Sequence, residues 1–519
     1  MYAVTAEEMR EIDRAAVKDY LIPGDILMEN AAVNMLYAVK QEWGSIAFKR
    51  AAVFCKGGNN GGDGAALARH LKCEGADAAV YFLGDISKAS MSASENIKRA
   101  EKYGVEIIYI KDKPDIEKIR DRVIAADFIV DALIGTGLDR ETDEFTAGII
   151  AFINSLRKPV ISADIPSGIN SDTGAVMGAA VHADITVTFG LPKRGLAVFP
   201  GTGYAGKLIS ADISFPPELI SKPRKSVIVT PEIASALAPS RPVNANKGDF
   251  GPVLIVGGAP SFSGAVILAA MGALKAGAGV VNLLIPDSIY GAVKNGPPEA
   301  VTTSLKSGED GMLCEENYEL IMKFAQKAKT AIIGPGLGRG EGAFRLIRKI
   351  VENIEIPFVL DADGINAAAQ DKKCLKKIKN DAILTPHMGE MSRLCGHETA
   401  DIVNNRFEIL EEFIDECNIN VLLKDGRSLV ADREKNFYIN TTGNSGMATP
   451  GSGDVLSGVI GGFAAHSIPI VRAAIGANYI HGLSGDILAD DKGPEGITAG
   501  EIAGNLYKAL KKNKIPGGY

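Results

Sequence analysis

The stretch from Gly443 to Gly458 reads G-N-S-G-M-A-T-P-G-S-G-D-V-L-S-G and predicts the start of a helix. After G-S-G-D (451–454), the apolar residues of V-L-S-G-V-I (455–460) recur at the spacing of a helix that faces a core. The glycines therefore lie at a helix N-terminus, where free backbone N–H groups and the helix dipole attract a phosphate. Asp454, set among those donors, is placed to take a proton from a hydroxyl that approaches the phosphate. A plain turn with an N-cap accounts for the same residues, so the rest of the chain has to decide.

Length and composition predict a cytoplasmic globular protein with more than one domain. The chain has 519 residues, and single cores rarely grow past roughly 250–300 residues. A net charge of −7 without a long basic stripe argues against a nucleic-acid partner. The six cysteines form no C-x-x-C pair, which indicates thiols in a reducing compartment rather than disulfides or a zinc site. The N-terminal residues are acidic where a signal peptide would be basic.

One apolar stretch, Gly264 to Ile285, is about long enough to span a bilayer. It contains Lys275, and its sequence pattern changes at G-A-G (277–279), after which it reads V-V-N-L-L-I. A buried helix followed by a buried strand accounts for this pattern better, so we expect no membrane segment.

The arrangement of apolar runs predicts two α/β domains. Short, uninterrupted apolar strands alternate with helical segments in both halves, which is typical of parallel sheets covered on both faces. The segment Phe215 to Pro242 holds six of the 24 prolines, a density that disrupts helices and strand ladders. We therefore predict two different three-layer α/β/α domains, residues 1–220 and 225–515, joined by this segment.

Three motifs of the first half follow predicted strands. K-G-G-N-N-G-G-D-G (56–64) leads from a strand into a helix and forms a cradle for a phosphate or dinucleotide. Asp131 ends F-I-V-D-A, whereas Asp164 and Ser167 belong to D-I-P-S-G behind the next strand. Ligands of such sheets bind at the carboxyl ends of the strands, so these residues should converge. Asn60, Asp131 and Ser167 offer oxygen ligands that suit a hard cation of undetermined identity.

Residues 1–215 resemble the NAD(P)H-hydrate epimerase family. The resemblance is carried by three motifs in this order: K-G-G-N-N-G-G-D-G, V-D-A-L-I-G-T-G-L and D-I-P-S-G. The resemblance implies a Rossmann-like domain that inverts C6 of a hydrated nicotinamide nucleotide through loss and return of its hydroxyl group. This chemistry needs a carboxylate and a fixed nucleotide rather than a redox cofactor. Asp164 is the expected acid/base, with Asp131 as the alternative. Potassium (K+) is implied on Asn60, Asp131 and Ser167. The implied contacts to the hydrate are Asn59, Asn60, Gly61, Gly62, Asp63, Gly135, Thr136, Gly137, Leu138, Asp139, Arg140, Glu141 and Asp164.

The second half carries a longer series of strand-end motifs. They are K-G-D-F-G (247–251), G-P-G-L-G (334–338), D-A-D-G-I-N (361–366), T-P-H-M-G-E (385–390), K-D-G-R-S (424–428) and finally G-S-G-D. Each motif alone is compatible with a purely structural role, and His387 by itself is more typical of a packed or solvent-bonded histidine. Such loops at several strand ends together favour a ligand site.

This series is similar to the ADP-dependent NAD(P)H-hydrate dehydratase family, which has a ribokinase-like fold, over about residues 230–510. A hydroxyl is a poor leaving group, and transfer of a phosphoryl group to it, followed by loss of phosphate, solves that problem. The resemblance implies ADP as phosphoryl donor with Mg2+, Asp454 as base and the 451–453 amides as anion hole. The implied hydrate contacts are Ala265, Gly338, His387 and Asp454, and the implied nucleotide contacts are Lys424, Asp425, Gly426, Arg427, Ser428 and Gly453.

Together the halves predict a bifunctional repair enzyme acting on NADHX and NADPHX. The first domain would interconvert the R and S hydrates, and the second would consume the S form. We also expect a homo-oligomer with no membrane partner. Two alternatives stay open: a ribokinase-like small-molecule kinase fused to a nucleotide-binding domain, and an N-terminal domain that only binds or scaffolds.

Overall fold

The computed structural model describes residues 1–244, 246 and 250–514. The first three residues of the K-G-D-F-G motif, 247–249, and residue 515 at the end of the predicted second domain lie outside the described residues. The chain forms two compact units, Tyr2–Ser226 and a unit that begins at Val227 and includes Met1.

The first unit is built on a seven-stranded sheet in which all neighbouring strands are parallel. Its order is β4-β3-β2-β5-β6-β7-β8. These strands, with a short β1, are β1 (Tyr2–Ala3), β2 (Arg50–Cys55), β3 (Asp77–Leu83), β4 (Glu106–Ile110), β5 (Phe128–Ala132), β6 (Val160–Ala163), β7 (Ile185–Phe189) and β8 (Lys207–Ala211).

Helices cover both faces of this sheet. They are α1 (Ala6–Lys18), α2 (Gly24–Trp43), α3 (Asn59–Cys73), α4 (Met91–Lys102), α5 (Lys113–Ile124), α6 (Glu144–Ser155), α7 (Gly201–Ala205) and α8 (Pro217–Ile220), with single 3-10 turns at Ile86–Lys88 and Arg194–Ala197. Along β2, Ala51 and Val53 belong to the core with α1 to α4, whereas Ala52 and Phe54 belong to the core with α5 and α6. Because successive side chains point to opposite faces, both faces are buried, and the predicted three-layer architecture is confirmed here.

The second unit has a larger sheet with the order β9-β18-β17-β16-β15-β14-β13-β10-β11-β12. Its strands are β9 (Ser226–Ile228), β10 (Pro252–Val256), β11 (Val280–Pro286), β12 (Ala300–Leu305), β13 (Thr330–Ile333), β14 (Phe358–Leu360), β15 (Ala382–Leu384), β16 (Asn420–Leu423), β17 (Leu429–Ala431) and β18 (Phe437–Ile439). The pairs from β16 to β12 are parallel, but β17 pairs antiparallel with β16 and β18. The apolar runs of the sequence do not reveal β9, β12, β17 or β18; β12, for example, reads A-V-T-T-S-L and has a polar centre.

The helices of the second unit are α9 (Pro231–Leu237), α10 (Ser263–Lys275), α11 (Tyr290–Val293), α12 (Tyr318–Ala325), α13 (Glu341–Asn353), α14 (Asp363–Gln370), α15 (Lys373–Lys376), α16 (Met388–Cys395), α17 (Thr399–Cys417), α18 (Ser452–Ala464), α19 (Ile470–Lys492) and α20 (Ala499–Asn513), with 3-10 turns at Asp287–Ile289, Glu315–Asn317 and Ser445–Met447. The long apolar stretch is α10 followed by β11, as predicted. Among the residues described, no helix is both long and apolar enough to cross a membrane.

Close helix packing sets the position of α18. A Cβ atom added at Gly272 of α10 would lie 2.3 Å from the carbonyl oxygen of Val455, and one added at Gly458 would lie 2.1 Å from that of Ala269. Only glycine permits this backbone approach, which fixes the position of α18 against α10.

The proline-rich segment is more regular than its composition predicts. It contains α8, β9 and α9 rather than an irregular connection, so that part of the prediction is wrong. Pro217 and Pro231 lie in the first turns of α8 and α9, where the missing N–H group is not needed for helical hydrogen bonds.

Candidate active sites

In the first unit, the K-G-G-N-N-G-G-D-G motif folds into a tight turn that begins α3. A Cβ atom at Gly61 would lie only 1.8 Å from the carbonyl oxygen of Lys56, so the turn requires glycine there. Asn60, Gly62 and Asp63 are buried in the first turns of α3, whereas Asn59 is exposed. The structure therefore presents this helix start to the carboxyl edge of the sheet.

The side chain of Asn60 has unusual surroundings. It is 8% exposed, and neither its Oδ1 nor its Nδ2 atom has a hydrogen-bond partner among the described residues. A Cβ atom added at Gly135 would lie 3.3–3.4 Å from the Asn60 side chain, so the loop after β5 covers this amide. A buried amide without partners is costly, which points to a ligand at this position.

Asp131 ties the two neighbouring strand ends together. Its carboxylate accepts hydrogen bonds from Ser162 Oγ at 2.8 Å and from the backbone N and Oγ of Ser167 at 2.8 and 2.5 Å. Ser167 Oγ also accepts from the backbone N of Ile134 at 2.9 Å. Burial raises the pKa of Asp131 although these hydrogen bonds favour its charged form. Two of the three predicted cation ligands, Asp131 and Ser167, are thus in direct contact.

The rest of the predicted hydrate contacts lie in the loop between β5 and α6. Gly135, Thr136 and Leu138 are partly exposed, and Gly137, Asp139, Arg140 and Glu141 are exposed. Asn170 Nδ2 donates to the carbonyl oxygen of Leu138 at 3.4 Å. Thr136 and Gly137 lie at the tip of the same turn. The tip of this loop is therefore open to solvent.

Asp164 is paired with a residue that the sequence reasoning missed. Lys193, four residues after β7, is 1% exposed and donates a short hydrogen bond to Asp164 Oδ1. Thr188 Oγ1 and the backbone N of Phe189 donate to the same oxygen at 3.3 and 3.0 Å. Asp164 has a φ of +64°, a left-handed conformation that is uncommon outside glycine and recurs at functional sites. In the sequence, G-L-P-K looks like an ordinary loop with a surface lysine.

Asp63 contributes a second buried carboxyl group to the same region. Burial raises its pKa well above the ordinary range, and the charges of Asp164 and Asp13 raise it further, against the opposing effect of Lys193. The Lys193 ammonium thus lies near the carboxyl groups of Asp63, Asp164 and Asp13.

In the second unit, α18 begins at Ser452, as the spacing predicts, and Gly451 before it has a φ of +88°. Asp454 lies in the first turn of α18. Burial raises the pKa of Asp454 to about 7, with the negative charge of Asp361 adding to the effect and Lys424 opposing it. A carboxyl group with such a pKa is well suited to general base catalysis near neutral pH.

Asp361, at the end of β14, organises the charges around this helix start. It is 1% exposed and accepts hydrogen bonds from Lys424 Nζ, Thr385 Oγ1 and Ser457 Oγ at 2.8, 2.8 and 2.5 Å. Burial acts to lower the pKa of Lys424, but the charge of Asp361 and other carboxylates more than offsets it, so the pKa is raised. A Cβ atom at Gly453 would lie 3.2 Å from Lys424 Nζ, so the ammonium faces the N-terminus of α18.

The other predicted nucleotide contacts form the hairpin loop between β16 and β17. Asp425 pairs with the buried Arg406 at 2.7 Å, and Arg427 donates to the carbonyl oxygen of Thr441. Gly426 and Ser428 complete the turn through hydrogen bonds to Asp425. Lys424 and Gly453 are therefore brought together, while Asp425 and Arg427 already have partners within the protein.

His387 caps α16 instead of packing in the core. Its Nδ1 atom accepts from the backbone N of Gly389 at 3.0 Å, and Glu390 Oε2 accepts from the backbone N of His387 at 2.9 Å. Burial lowers the pKa of His387, and the charges of Lys424 and Arg393 lower it further, which favours the neutral form of the imidazole. Burial raises the pKa of Glu390 to about 7.

A cavity of ≈ 570 Å³ opens beside these residues. Gly338 and His387, both predicted hydrate contacts, line it, whereas the predicted contacts Ala265 and Asp454 are not among its lining residues. Phe262, Arg339, Asn366, Glu390 and Arg393 also line the cavity and were not predicted as contacts. Asn366 and Glu390 belong to the quoted strand-end motifs, whereas only their position in space distinguishes Phe262, Arg339 and Arg393 from ordinary surface residues.

The chain thus folds into two α/β units, each with a glycine-rich helix start behind a strand of its sheet. The family described as NAD(P)H-hydrate dehydratase matches residues 253–508, and the one described as YjeF-related protein N-terminus matches residues 24–195. A bifunctional NAD(P)H-hydrate repair enzyme of Moorella thermoacetica is 37% identical over 98% of this chain and 97% of its own. The enzyme of the same name from Thermofilum pendens is 36% identical over 98% and 96%.

The chain therefore belongs to the family of bifunctional NAD(P)H-hydrate repair enzymes, which confirms the predicted family and enzyme class. Among solved structures, it is similar to the ADP/ATP-dependent NAD(P)H-hydrate dehydratase from Bacillus subtilis co-crystallized with ATP/Mg2+. The identity is 26%, the coverage 56% of this chain and 99% of the other, and the TM-score 0.47.

Proposed function

We propose that residues 1–220 epimerise the C6 hydroxyl of NADHX and NADPHX and that residues 225–515 dehydrate the S form with ADP. The observation that carries this proposal is the Lys424–Asp361 pair held against the N-terminus of α18 beside Asp454. A cation and free amides at one helix start suit a phosphoryl group, and a carboxylate there suits proton removal.

In the dehydratase, Asp454 takes the proton of the C6 hydroxyl as the oxygen accepts the β-phosphoryl group of ADP. AMP leaves with the electron pair of the broken P–O bond. The first amides of α18 and the Lys424 ammonium stabilise the negative charge that develops on the phosphoryl oxygens. The phosphate then leaves with the electron pair of the C6–O bond, the ring nitrogen stabilises the cation, and loss of a proton from C5 completes NAD(P)H.

Magnesium fits this site as an ion that arrives with ADP. Mg2+ usually keeps several waters and binds through one or two carboxylates and the phosphates of the substrate. Asp454 is the carboxylate of the site nearest the helix amides, and Asp361 is already committed to three donors. The bound ion would neutralise phosphate charge during the transfer.

In the epimerase, we assign the proton exchange at the C6 hydroxyl to Asp164. Loss of water from C6 and its return on the other face inverts the carbon, while the ring nitrogen stabilises C6 in between. Asn60, Asp131 and Ser167 would hold potassium. They fit, because the Asn60 amide is buried without a partner and all three supply hard oxygen donors. The ion would supply positive charge near the bound nucleotide.

Four further expectations belong to this proposal. ADP is preferred over ATP as the phosphoryl donor, the protein forms a homo-oligomer, it works in the cytoplasm, and it has no nucleic-acid partner.

The test is the recovery of NADPH absorbance from a mixed R and S hydrate preparation with ADP, Mg2+ and K+. The wild-type chain should convert more than the S fraction faster than spontaneous epimerisation allows. Asp164→Ala should reduce conversion of the R fraction to the spontaneous rate, and Asp454→Asn should abolish recovery. Recovery that stops at the S fraction would contradict the epimerase, and a stable phosphorylated product would favour a small-molecule kinase instead.

A further inference from the structure

Three carboxyl groups line the cavity of the second unit, those of Asp310, Asp363 and Glu390. Asp310 is exposed. Asp363 Oδ2 accepts from the backbone N of Gly338 and its Oδ1 accepts from Asn366 Nδ2, both at 3.0 Å, so both of its oxygens are engaged. Glu390 is only 5% exposed and yet lines the cavity. A buried carboxyl group at the wall of a cavity is a candidate for proton transfer.

The two carboxylate oxygens of Glu390 have different surroundings. Oε2 accepts a hydrogen bond from the backbone N of His387 at 2.9 Å, which completes the cap at the start of α16. Oε1 lies 3.5 Å from His387 Nε2, which is longer than the usual hydrogen bond. One oxygen therefore holds the side chain in place, and the other is left for a group bound in the cavity.

The neighbouring His387 is a hydrogen-bond donor rather than a base in this arrangement. Its Nδ1 atom accepts from the backbone N atoms of Gly389 and Glu390 at 3.0 and 3.4 Å. A neutral imidazole that accepts at Nδ1 carries its proton on Nε2, so neither ring nitrogen is free to take a proton. The Nε2–H group beside Glu390 Oε1 favours the ionised form of that carboxylate.

Backbone pairing places this cap next to the residues that we assigned to the phosphoryl group. The backbone N of Lys424 donates to the carbonyl oxygen of Pro386 at 2.8 Å, and His387 and Lys424 form a parallel β-bridge. The ammonium of the same lysine lies against the N-terminus of α18. The charge of Glu390 accordingly acts on both Lys424 and Asp454. Glu390 thus lies on the side of the cavity that adjoins the phosphoryl site.

The dehydration proposed above needs a second base. Once phosphate has left with the electron pair of the C6–O bond, C6 and the ring nitrogen share a positive charge. NAD(P)H forms only when C5, the carbon next to C6, loses a proton. Asp454 has by then taken the proton of the hydroxyl group. The base for C5 therefore has to be another group beside the phosphoryl site.

We propose that Oε1 of Glu390 removes the C5 proton and thereby converts the cationic intermediate into NAD(P)H. The proposal rests on the dehydration proposed above and concerns the step that follows loss of phosphate. The proton passes to Glu390, the C5–H electron pair forms the C5–C6 double bond, and the electron pair of the C6–N double bond returns to nitrogen. Glu390 then releases the proton to solvent. Burial raises the pKa of Glu390 to about 7, which suits a base near neutral pH.

The test compares the amounts of AMP and NADPH that the full chain forms from ADP and the pure S hydrate of NADPH. The wild type should form equal amounts of both. In Glu390→Gln, the cation should lose its C5 proton slowly, and water should capture it instead, which returns hydrate and allows further ADP to be consumed. NADPH formation should therefore fall about 100-fold, whereas AMP formation should fall much less. Glutamine also serves at this position of a capping box, so the variant keeps the start of α16.

Glu501→Gln is the matched control. Glu501 has the same position in the capping box of α20, where its Oε2 accepts from the backbone N of Thr498 at 2.9 Å. It is not among the residues that line the cavity. This variant should form equal amounts of AMP and NADPH at the wild-type rate, so an excess of AMP in Glu390→Gln does not come from an altered helix cap.

Two results would overturn the proposal. Equal amounts of AMP and NADPH at the wild-type rate in Glu390→Gln would assign the C5 proton to another group, such as the departing phosphate. An equal fall of both products would show that Glu390 acts on the structure or on phosphoryl transfer. A wild-type chain that forms neither AMP nor NADPH from the S hydrate would instead refute the proposed dehydration, and this proposal with it.

Discussion

Replacing Asp361 by asparagine should strongly destabilise the second unit. The carboxylate is 1% exposed and is the ion-pair partner of Lys424, whose side chain is 19% exposed, at 2.8 Å. Asparagine keeps the shape and a hydrogen bond to Thr385 or Ser457 but removes the carboxylate that is hydrogen-bonded to the buried ammonium. Removing one partner of a buried pair costs about 3–5 kcal/mol, because the remaining charge is not compensated.

The assay is equilibrium unfolding in urea with two probes. The only tryptophan, Trp43, lies in α2 of the first unit, so its fluorescence follows that unit, while far-UV circular dichroism follows both. Unfolding of the second unit should give a circular dichroism transition without a fluorescence counterpart. In Asp361→Asn, the midpoint of this transition should move to a lower urea concentration, whereas the midpoint of the fluorescence transition should not change. The free energy of unfolding is obtained for each unit separately, because a two-state analysis does not hold for a chain with two units.

A double-mutant cycle gives the decisive comparison. The double variant Asp361→Asn, Lys424→Met removes both charges. Its loss of unfolding free energy should therefore be clearly smaller than the sum of the losses in the two single variants. Asp491→Asn breaks an exposed pair with Lys508 and should cost no more than about 1 kcal/mol. The reasoning is refuted if Asp361→Asn costs as little as Asp491→Asn or if the cycle is additive.

Four further outcomes are expected. Asp454→Asn should lower dehydratase kcat/KM by about 100- to 10,000-fold without changing R-to-S conversion, and an equal loss of both activities would contradict a role confined to the second unit. Since burial raises the pKa of Asp454 to about 7 and the base must be ionised, dehydratase kcat/KM should fall about tenfold per pH unit below pH 7 and level off above it; a flat profile from pH 5 to 8 would exclude Asp454 as the base. Gly458→Ala places a Cβ atom 2.1 Å from the carbonyl oxygen of Ala269 and should destabilise the second unit by about 1–3 kcal/mol in the urea assay, whereas Gly500→Ala, with nothing within 4 Å, should not. Replacing K+ by Li+ should slow epimerisation but not dehydration of pure S hydrate, and Asn60→Ala should remove the difference between the two ions.

Local features of the chain were predictable from the sequence. The helix start at Ser452 and the succession of α10 and β11 follow from apolar spacing and glycine placement, which act between neighbouring residues. The convergence of Asp131 and Ser167 was also predictable, because parallel strands place their carboxyl ends at one edge.

The sequence by itself determined the alternation of helices and strands and the loops in which the polar motifs lie, since both depend on short-range backbone preferences. Only the tertiary structure decided which charges are buried and paired. Lys193 is 29 residues from Asp164, and Lys424 is 63 residues from Asp361. Nothing in the neighbourhood of Lys193 distinguishes it from a solvated surface residue, and the K-D-G-R-S motif marks Lys424 as a candidate contact but does not indicate its pairing with Asp361. Burial and pairing depend on distant parts of the chain meeting, and that contact changes the free energy of each charge.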